Sequence, residues 1–95
     1  MLIVKKFGGS SVADAERVNH VAEQIGRDAE RGHRLVVVLS AQGKTTDRLL
    51  EKAREINPHP SRRELDMLLA TGEQQSVALM AMALQRLGYE AVSLN

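Results

Sequence analysis

The chain has 95 residues, a formal net charge of +1 and 43% hydrophobic residues, which suits one small folded domain and is too apolar for a disordered tail. It contains no cysteine, which excludes disulfides, thiolate metal sites and cysteine nucleophiles and fits a reducing, cytoplasmic setting. Phe7 and Tyr89 are the only aromatic residues, which argues against a base-stacking nucleic-acid surface, and the near-neutral charge creates no field to attract nucleic acid or an anionic membrane.

Leu2 to Phe7 predicts a first strand, in which Lys6 shares a face with Leu2 and Val4 while Lys5 shares one with Ile3 and Phe7. The opening run Leu2-Ile3-Val4 is too short for a secretory signal, and lysines follow it instead of preceding it. No apolar run approaches the roughly 20 residues that a membrane span needs. The stretch Lys5-Lys6-Phe7-Gly8-Gly9-Ser10-Ser11 then predicts a strand, a tight glycine turn and a helix start. Paired glycines let the backbone approach a ligand, and a helix N-terminus adds partial positive charge. Lys5 or Lys6 adds a full charge, and spacing alone does not choose between them. The arrangement suits phosphate; a plain strand–helix turn with exposed lysines is the alternative.

Val12, Ala15, Val18, Val21, Ala22, Ile25 and Ala29 recur at helical spacing and predict a helix over Ser11–Arg31, opened by a Ser11/Asp14 capping box and closed at Gly32. His20 reads as a surface residue of that helix, without a ligand partner at metal spacing. Arg34–Ser40 predicts a second strand, and its run Leu35-Val36-Val37-Val38-Leu39 suggests burial on both faces in a parallel sheet. Two strands joined by a crossover helix bring the glycine turn and Ser40-Ala41-Gln42-Gly43-Lys44-Thr45-Thr46 to one carboxyl edge, where such sheets bind ligands.

Gly43-Lys44-Thr45 is like the end of a Walker A loop, but position 38 is Val where that motif needs Gly, which disfavours a Walker-type ATPase. Thr45 or Thr46 is expected to cap a helix over Asp47–Ile56. Asn57-Pro58-His59-Pro60 ends that helix and leaves His59 exposed. Ser61 with Glu64 opens a helix over Arg62–Ala70, wet on Arg62, Arg63, Glu64 and Asp66 and buried on Leu65, Leu68 and Leu69, with Met67 a candidate for the same face. Thr71-Gly72-Glu73 breaks the pattern. A second helix, Gln74–Leu87, is apolar nearly all round and is expected to be buried on more than one side. Glu73 either favours that helix's N-terminus or holds a substrate ammonium. Gly88 ends the helix, and Ala91–Leu94 predicts a third strand.

Lys6-Phe7-Gly8-Gly9-Ser10-Ser11, Ser40-Ala41-Gln42-Gly43-Lys44-Thr45-Thr46-Asp47 and Arg63-Glu64-Leu65-Asp66-Met67-Leu68-Leu69-Ala70-Thr71-Gly72-Glu73-Gln74 together resemble the N-terminal part of the aspartate kinase branch of the amino acid kinase family. Acetylglutamate, uridylate, carbamate and glutamate kinases share the glycine turn more loosely. Gln42 stands where methionine or serine is usual, and Gln75 where an apolar residue is commoner.

The resemblance implies an α/β three-layer αβα sandwich with a mainly parallel sheet, of which residues 1–95 form the N-terminal portion. It implies phosphorylation of the β-carboxylate of L-aspartate by ATP with Mg2+, the entry to lysine, threonine and methionine synthesis. By the family's pattern, Lys6 is the catalytic lysine, and Phe7, Gly8, Gly9, Ser10 and Ser40 join it around phosphate. Ser40, Thr46 and Glu73 face the substrate, with Glu73 on its ammonium. No residue here is assigned to Mg2+. The adenine segment, a later catalytic aspartate and the ACT-type regulatory domains lie outside the resemblance, so the chain alone is expected to be inactive. It is expected to pair with the rest of a kinase chain or with a second copy. A related small-molecule kinase, acetylglutamate kinase-like, and a non-catalytic α/β binding module are the alternatives.

Overall fold

The computed structural model describes residues 1–94. Its elements run β1 (Leu2–Phe7), a short 3-10 helix (Gly9–Val12), α1 (Ala15–Glu30), β2 (Arg34–Leu39), α2 (Thr45–Ile56) and α3 (Arg62–Arg86). β1 and β2 pair in parallel, from Leu2 opposite Arg34 to Phe7 opposite Leu39. The Ser40 N–H extends the ladder by donating to the Phe7 carbonyl at 3.2 Å.

Strand alternation divides the sheet into two unlike faces. Phe7, Leu35, Val37 and Leu39 pack against α1 and α3, in a core made by Val12, Val18, Val21, Ala22, Ile25, Met80, Ala83 and Leu84. The opposite face is open: Leu2 and Val4 are each 65% exposed, Val36 48% and Val38 45%. The described residues thus build the sheet and one helical layer of an α/β fold.

The first α-helix starts at Ala15, not Ser11, because Asp14 has extended backbone and its side chain accepts the Arg17 N–H at 2.8 Å; the Ser11/Asp14 capping box does not form. Residues 9–12 wind instead as the 3-10 helix. Neither Thr45 nor Thr46 caps α2, since both lie inside it and Lys44 occupies the cap position without a side-chain bond. A backbone turn, Thr45 N–H to Gln42 carbonyl at 2.8 Å, does that work.

Thr71-Gly72-Glu73 does not break the chain's last helix: α3 runs straight through it. The Thr71 hydroxyl donates to the Leu68 carbonyl at 2.6 Å, within the helix. The Ser61 side chain caps the start, accepting the Glu64 N–H at 3.3 Å, as its spacing predicts. Only one face of the second half is buried, around Ser76, Met80, Ala83 and Leu84, while Leu79 and Met82 are exposed, and so is Met67. β2 is likewise covered on one face only. Residues 91–94 are not a strand. A strand needs a neighbour to satisfy its backbone, and here Ala91 leans on the core while its carbonyl accepts from Gln85 Nε2 at 3.0 Å. Asn95, at or just past that expected strand, lies outside the described residues.

Candidate functional site

Because β1 and β2 are parallel, both deliver their following loops to the same carboxyl edge. After β1 the chain turns at Gly8, with the Ser11 N–H donating to the Gly8 carbonyl at 3.1 Å. A 3-10 helix opened by that bond leaves the N–H groups of Gly9 and Ser10 without an intrahelical acceptor. The loop after β2 closes on this turn, the Gly43 N–H donating to the Gly9 carbonyl at 3.0 Å. A Cβ on Gly9 would stand 2.5 Å from the Ala41 carbonyl oxygen, so only glycine allows this approach. Gly43, at φ 43°, has the left-handed backbone that turns the loop into α2.

The middle of α3 packs on the same loop. A Cβ on Gly72 would lie 3.0 Å from Ala41 Cβ and 3.2 Å from Thr45 Cγ2. A mid-helix glycine costs about 1 kcal/mol relative to alanine; here it lets α3 seat against Ala41 and the first turn of α2. The three stretches that carry the sequence resemblance, far apart in the chain, therefore meet at one edge of the sheet.

Lys6 is exposed and lies on the open sheet face, opposite Val38 in the register. Phe7 turns its ring to the core, so only its backbone serves the edge. Gly8 and Ser10 are exposed, and Gly9 is half-buried between them. Ser40 is half-buried at the end of the β2 ladder, and in the strand alternation it follows Val36 and Val38, on the side of Lys6. Thr46 is half-buried as the second residue of α2, and Glu73 is exposed on α3, next to Gly72.

The two lysines that spacing could not separate have different surroundings. Lys5 is ion-paired with Asp28 of α1, whose side chain is 15% exposed. Hydrogen bonding to the Lys5 ammonium holds the Asp28 carboxyl below its ordinary value; burial opposes this, while the charges of Lys5, Arg31 and His33 reinforce it. Lys5 is thus committed to the covered face, while Lys6 is exposed on the open one. Sequence reasoning missed Arg17, whose Nη1 donates to the Ser10 carbonyl at 3.1 Å. The Asp14/Arg17 spacing of three residues was the available signal.

A surface groove lined by Ser10, Ser11, Arg17, His20, Val21 and Gln24 flanks the turn, without Lys6, Ser40, Thr46 or Glu73 on its walls. Among the described residues no group of three or more His, Asp or Glu side chains is placed to hold a metal ion. No helix among them is long and apolar enough to cross a membrane.

A parallel α/β unit whose glycine turn, strand-end serine and helix N-terminus share one carboxyl edge defines a class of proteins that bind ligands beyond their strand ends. The chain belongs to the amino acid kinase family, whose model matches residues 1–95. It is 56% identical over 94 residues to an aspartokinase of Geobacillus stearothermophilus, covering 99% of this chain and 23% of that protein. It is 52% identical over 92 residues to aspartokinase 2 of Bacillus subtilis, covering 97% of this chain and 22% of that protein. Its fold matches the crystal structure of aspartate kinase from Synechocystis with a TM-score of 0.96 at 54% identity, over 99% of this chain and 16% of that one. The chain therefore spans less than a quarter of the length of these relatives.

Proposed function

We propose that residues 1–95 form the N-terminal portion of an aspartate kinase catalytic domain. The reaction is transfer of the γ-phosphoryl group of ATP to the β-carboxylate of L-aspartate, giving 4-phospho-L-aspartate and ADP at the head of lysine, threonine and methionine synthesis. The observation that carries this reading is the meeting of the three motif stretches through the Gly43–Gly9 hydrogen bond and the Gly72 contact. The aspartokinase relatives support the choice of substrate.

Phosphoryl transfer depends on positioning and charge neutralisation. Lys6 supplies the mobile positive charge at the transferring group. The N–H groups of Gly9 and Ser10, with the open space at Gly8, hold phosphate oxygens. Ser40 stands between phosphate and acceptor. Thr46 and Glu73 hold aspartate, Glu73 through a charge-assisted bond to its ammonium. ATP, when bound, supplies the phosphoryl group, and the N–H groups of Gly9 and Ser10, left without an intrahelical acceptor, fit its phosphates. Mg2+ goes with ATP chemistry; among the described residues no group of three or more His, Asp or Glu side chains is placed to hold it.

The open sheet face favours this reading over a self-contained binding module. Its apolar residues suit burial against further kinase chain or a second copy, in a cytoplasmic enzyme. The test is a chimera in which residues 1–95 replace the matching segment of the Geobacillus stearothermophilus aspartokinase. Hydroxylamine trapping should report ATP- and aspartate-dependent acyl phosphate from the chimera and none from the 95-residue chain alone. A chimera that folds and binds ATP yet makes no hydroxamate with aspartate points to another acceptor, as in an acetylglutamate kinase-like enzyme. A 95-residue chain that sediments as a monomer and binds no apolar dye favours the module.

A further inference from the structure

We propose that Arg17 is a positioning residue for the glycine turn, acting through the Ser10 carbonyl without touching substrate; this rests on the aspartate kinase reading above. A trans peptide points its carbonyl and its N–H in opposite directions. In the Gly9–Ser10 peptide, the Gly9 carbonyl accepts from Gly43, which aims the Ser10 N–H the other way. In the next peptide, the Ser10 carbonyl accepts from Arg17 Nη1 at 3.1 Å while the Ser11 N–H is held by the Gly8 carbonyl at 3.1 Å. Successive peptide planes of the turn are thus pinned from two sides, by the β2 loop and by α1.

Arg17 is itself held. Its N–H donates to Asp14 Oδ1 at 2.8 Å, and its Nε lies 3.9 Å from Asp14 Oδ2. Asp14 therefore caps α1 and steadies the guanidinium that reaches back seven residues to Ser10. The 3-10 helix is only four residues long and has no side-chain cap. Geometry of this kind is poor in such short helices, so an outside donor has a large share in fixing it. Loss of that donor leaves the Ser10–Ser11 peptide held by the Ser11 N–H alone, which loosens its bond to the Gly8 carbonyl and, through the peptide that carbonyl shares with the Gly9 N–H, the alignment of the turn offered to phosphate.

Arg17→Ala and Arg17→Lys are placed in the chimera described above. Arg17→Ala should raise the KM for ATP by about tenfold, the scale of one charge-assisted hydrogen bond, and leave the KM for aspartate unchanged. Arg17→Lys, which keeps a charged donor, should recover part of the loss. Hydrogen exchange at the Ser11 amide should quicken in Arg17→Ala, and this readout does not need catalysis. An Arg17→Ala chimera with unchanged ATP KM and unchanged Ser11 exchange overturns the positioning role, as does an equal rise in both Michaelis constants. A folded parent chimera without activity overturns the kinase reading instead, and Ser11 exchange then decides the role of Arg17 alone.

Discussion

The backbone N–H of Gly43 donates to the carbonyl of Gly9 at 3.0 Å, joining the loops that follow the two parallel strands. This bond brings together segments that are 34 positions apart and sets the approach at which a Gly9 Cβ would meet the Ala41 carbonyl at 2.5 Å.

Gly9→Ala should therefore force the two loops apart. Overpacking of this kind costs about 1–3 kcal/mol, and the shift falls on the turn itself. In the chimera, turnover should fall more steeply than thermal stability. Gly8→Ala, where a Cβ meets nothing within 4 Å, should be structurally mild by comparison. Equal melting temperatures and equal turnover for Gly9→Ala and the parent would show that the close approach is dispensable.

The Lys5–Asp28 pair predicts a particular pH dependence. Asp28 titrates below its ordinary value of 3.8 when folded, chiefly through its bond to Lys5. A depressed carboxyl contributes stability above its unfolded pKa, and the contribution is lost as pH falls through the folded value. Asp28→Asn should lower the melting temperature at pH 7, and the difference from the parent should shrink as pH falls below 3.8. A difference that stays constant from neutral pH into acid would rule the ion pair out as its source.

Glu73 is exposed one residue beyond Gly72, which seats α3 on Ala41 and Thr45. In the chimera, Glu73→Ala should raise the KM for aspartate by about ten- to a hundredfold, as expected for a charge-assisted contact, with the KM for ATP little changed. Glu73→Gln should be nearly as impaired if the ammonium is what it holds. An unaltered aspartate KM would reduce Glu73 to a surface residue of α3.

Much of this was legible from local chemistry. The alternation in Leu2–Phe7 marks both the strand and its two faces, and Ser61/Glu64 marks the start of α3, because each signal is complete within a few residues. What was not legible depends on distant neighbours. Asp14 outcompetes Ser11 as a cap because the glycine turn has already spent residues 9–12 on a tighter helix. Thr71-Gly72-Glu73 looks like a break until Ala41 and Thr45 are seen against Gly72. Lys5 and Lys6 are equivalent in spacing, and only Asp28, more than twenty residues on, separates them. The apolar runs of β2 and α3 correctly mark two-sided hydrophobicity, but burial also needs a covering partner, and residues 1–94 cover one side of each.

On the proposed reading, Lys6 and not Lys5 meets the transferring phosphoryl group. The most direct measurement is kcat of the chimera with Lys6→Ala beside Lys5→Ala. Lys6→Ala should lower kcat by about a hundredfold or more, as for loss of a preorganised charge at the transition state, with the fold intact. Lys5→Ala should lower stability and largely spare kcat. A folded Lys6→Ala chimera with kcat within about threefold of the parent, well short of such a loss, would contradict the account.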